Sequence, residues 1–191
     1  KSPSVVVARA EREILRMGDI VTRMISQSLD LFRKDDPESF AAMRKSDDRV
    51  DLLARELSLY LAEHMENAPP SFQKQMMRQL NMVTDLESVA DVVENQLLEM
   101  ASKKHKLKLE FSPEGWKDLE ELLGAVRQVA EMSMVCFQTQ DPDLAARVVF
   151  HKRNIRRLEE RMRESHITRL VKGRPETINT SSIHLDVRTY F

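Results

Sequence analysis

The sequence is poor in the residues that build β-proteins and in those that staple small ones. Glycine occurs four times and aromatic residues make up 5% of the 191, so tight hairpin turns and aromatic cross-strand pairs are scarce. The lone Cys136 excludes an intramolecular disulfide; in "MSMVCFQ" it reads as a small buried hydrophobe, because no base flanks it to make a nucleophile. Cysteine used this sparingly fits a reducing compartment. No run approaches the roughly 18 apolar residues of a membrane span, and no signal peptide opens the chain. Charge of one sign is missing too. Thirty Lys and Arg face 31 Asp and Glu, which removes the basic excess that nucleic-acid binding uses. What remains is 32% charged residues among helix-forming apolar ones, and that composition predicts an all-α protein.

Apolar residues recur at helical spacing in long blocks. Ile14, Met17, Val21, Met24 and Leu31 mark a first helix from about Val5 to Phe32. "KDDPESF" breaks it, with Asp36 placed to cap and Pro37 at the first helical position, and Met43, Val50, Leu53, Leu57 and Leu61 carry a second helix to about Asn67. After "NAPPSF" a third runs from about Ser71 to Ser102 on Met82, Leu86, Val89, Val93, Leu97 and Met100. The scheme then restarts with helices over about Glu114–Gln140 and Asp141–Val171 and a last segment from about Glu176. An offset of 105 residues sets Asp36-Pro37 on Asp141-Pro142 and Phe32 on Phe137. Since 105 is a whole number of heptads, apolar matches at that offset carry little weight; the repeated Asp-Pro and the equal link lengths carry more. The expected organisation is two repeats, residues 1–105 and 106–191, each an antiparallel three-helix bundle, the second truncated at its last helix.

The third helix holds an unusual stretch, "DLESVADVVENQ" (85–96), with four acidic residues and no basic one. At about 100° per residue, Glu87, Asp91 and Glu94 share one edge beside the core stripe. Like charges four apart cost a few tenths of a kcal/mol each, so something must answer them. Helix two repeats the pattern with Asp47 and Asp51 at the edge of its apolar face. If the two helices are antiparallel neighbours, the pairs converge on one shallow site of oxygen ligands suited to hard or borderline cations. The plainer explanation is neutralisation by Arg44, Lys45, Arg49 and Arg55, or by the basic fifth helix, and spacing alone leaves both open.

These residues carry a resemblance. "DLESVADVVENQ" resembles the "ERIGDHAEN" type signature of the PhoU family, whose E(D)xxxD motifs are a hallmark: Glu87 and Asp91 match it, and Glu94-Asn95 follow at the same spacing. Asp47 and Asp51 in "DDRVD" look like the companion motif, and "SSIHLDV" (181–187) resembles the start of the signature in the second repeat. "AEREILRMGDIVTRM" and "DDPESFAAMRKSDDRVDLLARELSLYL" are most similar to the cytosolic PhoU-like domain that follows the membrane part of bacterial sodium/phosphate cotransporters. The resemblance implies two tandem three-helix bundles and a regulatory role in phosphate uptake without catalysis. It implies metal ligation by Asp47, Asp51, Glu87 and Asp91, with iron, zinc, manganese or magnesium as the ion. It also implies a cytoplasmic location, at the inner face of the inner membrane, and a phosphate transporter membrane domain, in cis, as partner. A chain beginning at Lys1 with no span suits such a fragment.

The second repeat departs from the pattern. At the same offset Asp47 becomes Lys152 and Asp51 becomes Arg156, so no second metal cluster is expected, and from Arg147 to Arg163 seven basic residues face two Glu. That face reads as solvated or ion-paired, against contact with an acidic partner or with anionic lipid. Lys103, Lys104 and Lys106 read as ordinary helix-end lysines, and His184 as a helix-start histidine in preference to a ligand beside Asp186. A di-iron enzyme is disfavoured, because none of His64, His105, His151, His166 or His184 has a Glu three residues before it. The other competing reading is a structural module, with a possible homodimer, whose acidic third and basic fifth helices pair within or between chains.

Overall fold

The computed structural model describes residues 2–173 and 177–180, and every regular element among them is helical. Helices α1 (Pro3–Arg33), α2 (Pro37–Met65) and α3 (Pro70–Val92) come first; α3 continues unbroken through a π-helical segment (Val93–Leu98) into α4 (Glu99–Lys106). A loop leads to α5 (Pro113–Thr139) and α6 (Pro142–Val171). Proline opens all five long helices, at positions where its missing N–H costs no hydrogen bond and its fixed φ already suits the helix. Asp36 accepts the N–H groups of Glu38 and Ser39, and Asp141 those of Asp143 and Leu144, so the two Asp-Pro pairs start α2 and α6 in the same way.

Connections of three, four and two residues join α1 to α2, α2 to α3 and α5 to α6, too short for anything but antiparallel packing of neighbours. α1, α2 and α3 pack on one another as a three-helix bundle, and α5 packs on α6. The third member expected for the second bundle, from about Glu176, lies outside the described residues except for the helical residues 177–180; "SSIHLDV" with His184 and Asp186 also lies outside them.

α1 belongs to both halves, since it also packs along α5. Its sequence allows this because apolar and small residues come in adjacent pairs: Met17 and Gly18, Ile20 and Val21, Met24 and Ile25, Leu31 and Phe32 are all buried. A single stripe would have sufficed for one bundle; paired positions widen the buried arc to serve two. At Gly18 there is no room for a side chain as packed: an added Cβ would sit 2.4 Å from the Cε of Met134 on α5. The main core accordingly runs through α1 to α4 and takes in Phe111, Leu119 and Leu123, while a small cluster of Leu122, Ile155 and Met162 holds α6.

Two expectations change. Cys136 is half-buried, not fully so: it lies in the last turn of α5, next to the left-handed Gln140, and its thiol reaches the Asp141 carbonyl at 3.8 Å. Lys104 is no ordinary helix-end lysine. Only 2% exposed, its ammonium lies 5.6 Å from the Trp116 ring centre and 5.9 Å from that of Phe111, and 3.4 Å from Glu110. The aromatic faces and one carboxylate replace the water it gives up.

Candidate metal centre

The site begins as an anomaly in the core pattern of α2. The buried positions of that helix are Phe40, Met43, Asp47, Val50, Ala54, Leu57 and Leu61, an alternation of three and four that a bundle helix uses for its apolar seam. Asp47 occupies a seam position. It lies in the stripe itself, where the sequence reading had put it at the stripe's edge, and it is only 9% exposed. Its Oδ1 is buried without a hydrogen-bond partner among the described residues. An ionised carboxylate in that position destabilises the fold unless something compensates it.

The neighbours make matters worse for a free chain. Asp51 is one turn further along α2, and Asp91 comes across from α3; one oxygen from each of Asp47, Asp51 and Asp91 falls within 4.8 Å of the others. Burial, then the charges of Asp51, Glu94, Asp91 and Asp48, push the Asp47 carboxyl up from 3.8 to about 6. Burial is the larger cause because the seam excludes water; the like charges add to it.

The antiparallel packing of α2 and α3 decides which carboxylates meet. Moving from Asp47 to Asp51 along α2 means moving from Glu94 towards Glu87 along α3, with Asp91 between them. Of the four expected ligands the structure brings together Asp47, Asp51 and Asp91. Glu87, one turn before Asp91 and half-buried, is not among the three, and Glu94 instead acts on Asp47. Glu94 stands in the π-helical segment directly after α3, where a wider turn shifts the facing by a residue; Leu97 and Leu98 are both buried as a result. Such a turn has no sequence signature, so the weight of Glu94 over Glu87 was not readable, whereas Asp47's place in the three-four alternation was.

Neutralisation by basic neighbours is slight. Among the described residues only Arg44 reaches a carboxylate of this strip, Nε to Glu94 at 3.7 Å, a long contact between an exposed Arg and a half-buried Glu. The basic helix α6 does not supply the counter-charge: its ion pairs go to α5, Arg161 to Glu121 at 2.6 Å and Arg169 to Asp118 at 2.8 Å. The acidic and basic helices are thus not paired with each other within the chain, among the described residues. Lys152 and Arg156, the counterparts of Asp47 and Asp51 at the 105-residue offset, are both exposed on α6.

The three oxygens suit a single cation. Separations up to 4.8 Å match opposite ligands at 2.0 to 2.4 Å from a central ion, an all-oxygen set suits a hard ion, and the orphaned Oδ1 of Asp47 is the group such an ion would satisfy. Asp51 and Asp91, both exposed, leave the site open to solvent on its outer side, which leaves room for water ligands.

Comparison with known proteins agrees with this architecture. The PhoU domain model matches residues 14–99, which spans most of the first bundle and the acidic cluster. The protein is similar to the "Putative inorganic phosphate export protein YjbB" of Salmonella typhimurium, 30% identical over 185 residues, and to the protein of that name in Escherichia coli K12, 29% identical. The match covers 96% of this chain and 34% of either relative, so the chain spans about a third of their length. In three dimensions it superposes on the crystal structure of PhoU from Pseudomonas aeruginosa with a TM-score of 0.87 over 98% of this chain and 88% of that one, at 16% identity.

Proposed function

We propose, for a chain that is PhoU-like and carries a PhoU domain over residues 14–99, that it is a non-enzymatic regulatory domain of a phosphate-transporting protein and that it holds a metal ion between Asp47, Asp51 and Asp91. The observation that carries this reading is the buried, unpartnered Oδ1 of Asp47 in a seam position of α2. A hydrophobe there would complete the core at no electrostatic cost, and a carboxylate is an expensive choice unless a cation completes it. Bound metal would tie α2 to α3 at mid-bundle, so occupancy would set how tightly the first bundle is closed. That is a regulatory device with no need of a substrate pocket.

The wider setting extends the same proposal. The chain spans about a third of relatives named for inorganic phosphate export, which supports a domain working in cis with a phosphate-transporting membrane portion, at the cytoplasmic face of the membrane. A sodium-coupled carrier is the context we favour for that portion. The ion is magnesium, manganese, iron or zinc, with the hard members of that set best suited to three carboxylates.

The test is direct. The chelator-treated chain is titrated calorimetrically with each of the four metals, and the metal content of freshly purified protein is measured by plasma mass spectrometry. Saturable binding at one ion per chain, abolished in Asp47→Asn and Asp91→Asn, is the expected result. Binding of none of the four, or equal binding by the variants, would sink the metal assignment.

A further inference from the structure

α6 joins the rest of the molecule through Ile155, Leu158 and Met162, which pack on α5. At about 100° per residue the opposite side of the helix carries a second stripe, which steps alternately by four and three residues from Ala146 to Val171. That alternation is the seam of a coiled coil, yet every residue on it is exposed, Phe150, Ile167 and Val171 by 50 to 83%. Its apolar residues stand at the two ends. Between them come Arg153 and Arg157, then Glu160 and Glu164, and none of these four has an ion pair among the described residues. Like charges four apart on a helix repel, so Arg153 with Arg157, and Glu160 with Glu164, work against α6 standing alone. Interleaved signs would have paired within the helix; signs kept in blocks leave each block to be answered from outside.

We propose that this seam pairs with the same seam of a second copy of the chain, the two α6 helices lying antiparallel about a two-fold axis. The order of the residues selects that occupant, because the stripe read backwards is its own complement. With the axis passing midway between Arg157 and Glu160, Arg157 faces the partner's Glu160 and Arg153 faces the partner's Glu164. The same register sets Phe150 against the partner's Ile167 and Ala146 against the partner's Val171. Each contact occurs twice by symmetry, so all four charges of the stripe are answered and the apolar ends of one helix cover those of the other. A parallel copy would instead set arginine on arginine and glutamate on glutamate. At the flank, this register brings Arg156 near the partner's Arg163, but both are exposed at the rim, where solvent and salt screen them. The proposal rests on α6 alone and stands whether or not the acidic cluster on α2 and α3 holds metal.

The test is sedimentation equilibrium of the 191-residue chain over a wide range of concentration, where a reversible monomer–dimer equilibrium is expected. Arg153→Glu sets a carboxylate against the partner's Glu164, and Glu164→Arg sets a guanidinium against the partner's Arg153. Either variant should weaken dimerisation at least about tenfold, since each turns an attraction into a repulsion at two symmetric places. The double variant Arg153→Glu, Glu164→Arg exchanges the two signs and should return the dissociation constant to within a few-fold of the parent's. An equimolar mixture of the two single variants should form a mixed dimer under conditions where neither pairs with itself. Phe150→Ser should weaken dimerisation without altering its charge pattern. In dilute solution, where the parent is monomeric, the variants' thermal melts should match the parent's, because all three positions are exposed. A chain that stays monomeric at every concentration overturns the proposal, as does a dimer indifferent to the single reversals. Single reversals that weaken the dimer but are not rescued by the double variant also overturn it, for they would place the two residues in an interface of another register.

Discussion

Replacing Asp47 with Asn should make the metal-free protein more stable at neutral pH, against the usual cost of altering a buried residue. The reasoning starts from the carboxyl's rise from 3.8 to about 6, caused first by burial and then by Asp51, Glu94, Asp91 and Asp48. A folded state that holds the proton more tightly than the unfolded one loses stability as pH climbs between the two values, because above about pH 6 the fold must carry a charge that the unfolded chain carries freely. Two pKa units correspond to a ceiling of about 3 kcal/mol, and water reaching the exposed Asp51 and Asp91 screens part of that, leaving about 1 to 2 kcal/mol. Asparagine has nearly the same shape, cannot ionise, and gains hydrogen-bond donors that Asp51 and Asp91 can accept. In urea titrations with chelator present, Asp47→Asn should therefore exceed the parent by about 1 to 2 kcal/mol at about pH 7.5 and by almost nothing at about pH 3, where Asp47 is mostly protonated in both states. With metal at a hundredfold excess over its dissociation constant the parent alone should gain about 2.7 kcal/mol, which reverses the order. A variant less stable than the parent at pH 7.5 without metal, or a difference independent of pH, would refute the burial argument on which the site rests.

Other consequences are simpler to state. If Glu87 lies outside the cluster as its position indicates, Glu87→Gln should keep metal affinity within a few-fold of the parent in calorimetric titration, whereas Asp51→Asn should lower it at least about tenfold. Gly18→Leu should cost about 2 kcal/mol or more in chemical denaturation, because its side chain meets Met134 of α5, while Gly18→Ala should stay within about 1 kcal/mol, since the flexible end of Met134 can turn away and alanine favours the helix. Lys104→Met should cost about 1 to 2 kcal/mol by removing the cation over Phe111 and Trp116, and Lys104→Ala distinctly more because the buried stem is lost as well; equal effects of the two would show the rings recognise only the stem. Lys108→Gly should be neutral or stabilising by up to about 1 kcal/mol in the same assay, because Lys108 holds a left-handed φ of 52° that glycine adopts without strain.

The helices were legible because their signals are local. Asp36-Pro37 and Asp141-Pro142 combine a cap with a residue that suits the first turn, and they place the start of α2 to the residue and that of α6 within one residue. The seam positions Met43, Val50, Leu57 and Leu61 were read from spacing and are buried. On the third helix Leu86, Val93, Leu97 and Met100 follow the spacing and are buried, but Met82 and Val89 are only half-buried, and Met76, Val83 and Ala90 are buried in their place. That misreading has a tertiary cause, for α3 is flanked by α1 and α2 together, and apolar residues on both sides of the seam look alike in sequence. The second buried face of α1 was missed for the same reason, as pairs such as Ile20-Val21 reveal width but not what lies across from it.

The site was legible in composition and not in geometry, and the difference is instructive for Asp47. From spacing, Asp47 falls in the three-four alternation with Met43 and Val50, but spacing does not say whether its oxygens end buried or reach water. Only the burial of Oδ1 without a partner separates the two, and with that separation the balance between ion pairing and metal changes. An edge carboxylate finds water or Arg44 at little cost; the Oδ1 of Asp47 does not, since Arg44 reaches only Glu94 and that oxygen is buried without a partner among the described residues. Two ways then remain to remove the charge, a proton or a cation. At neutral pH a proton is held by a group titrating at about 6 only a small part of the time, so the cation is the better answer above that pH and the proton below it. Metal occupancy of the cluster should therefore fall steeply as pH drops through 6, faster than the weakening of three ordinary surface carboxylates would give, and a metal titration repeated across that range would detect it.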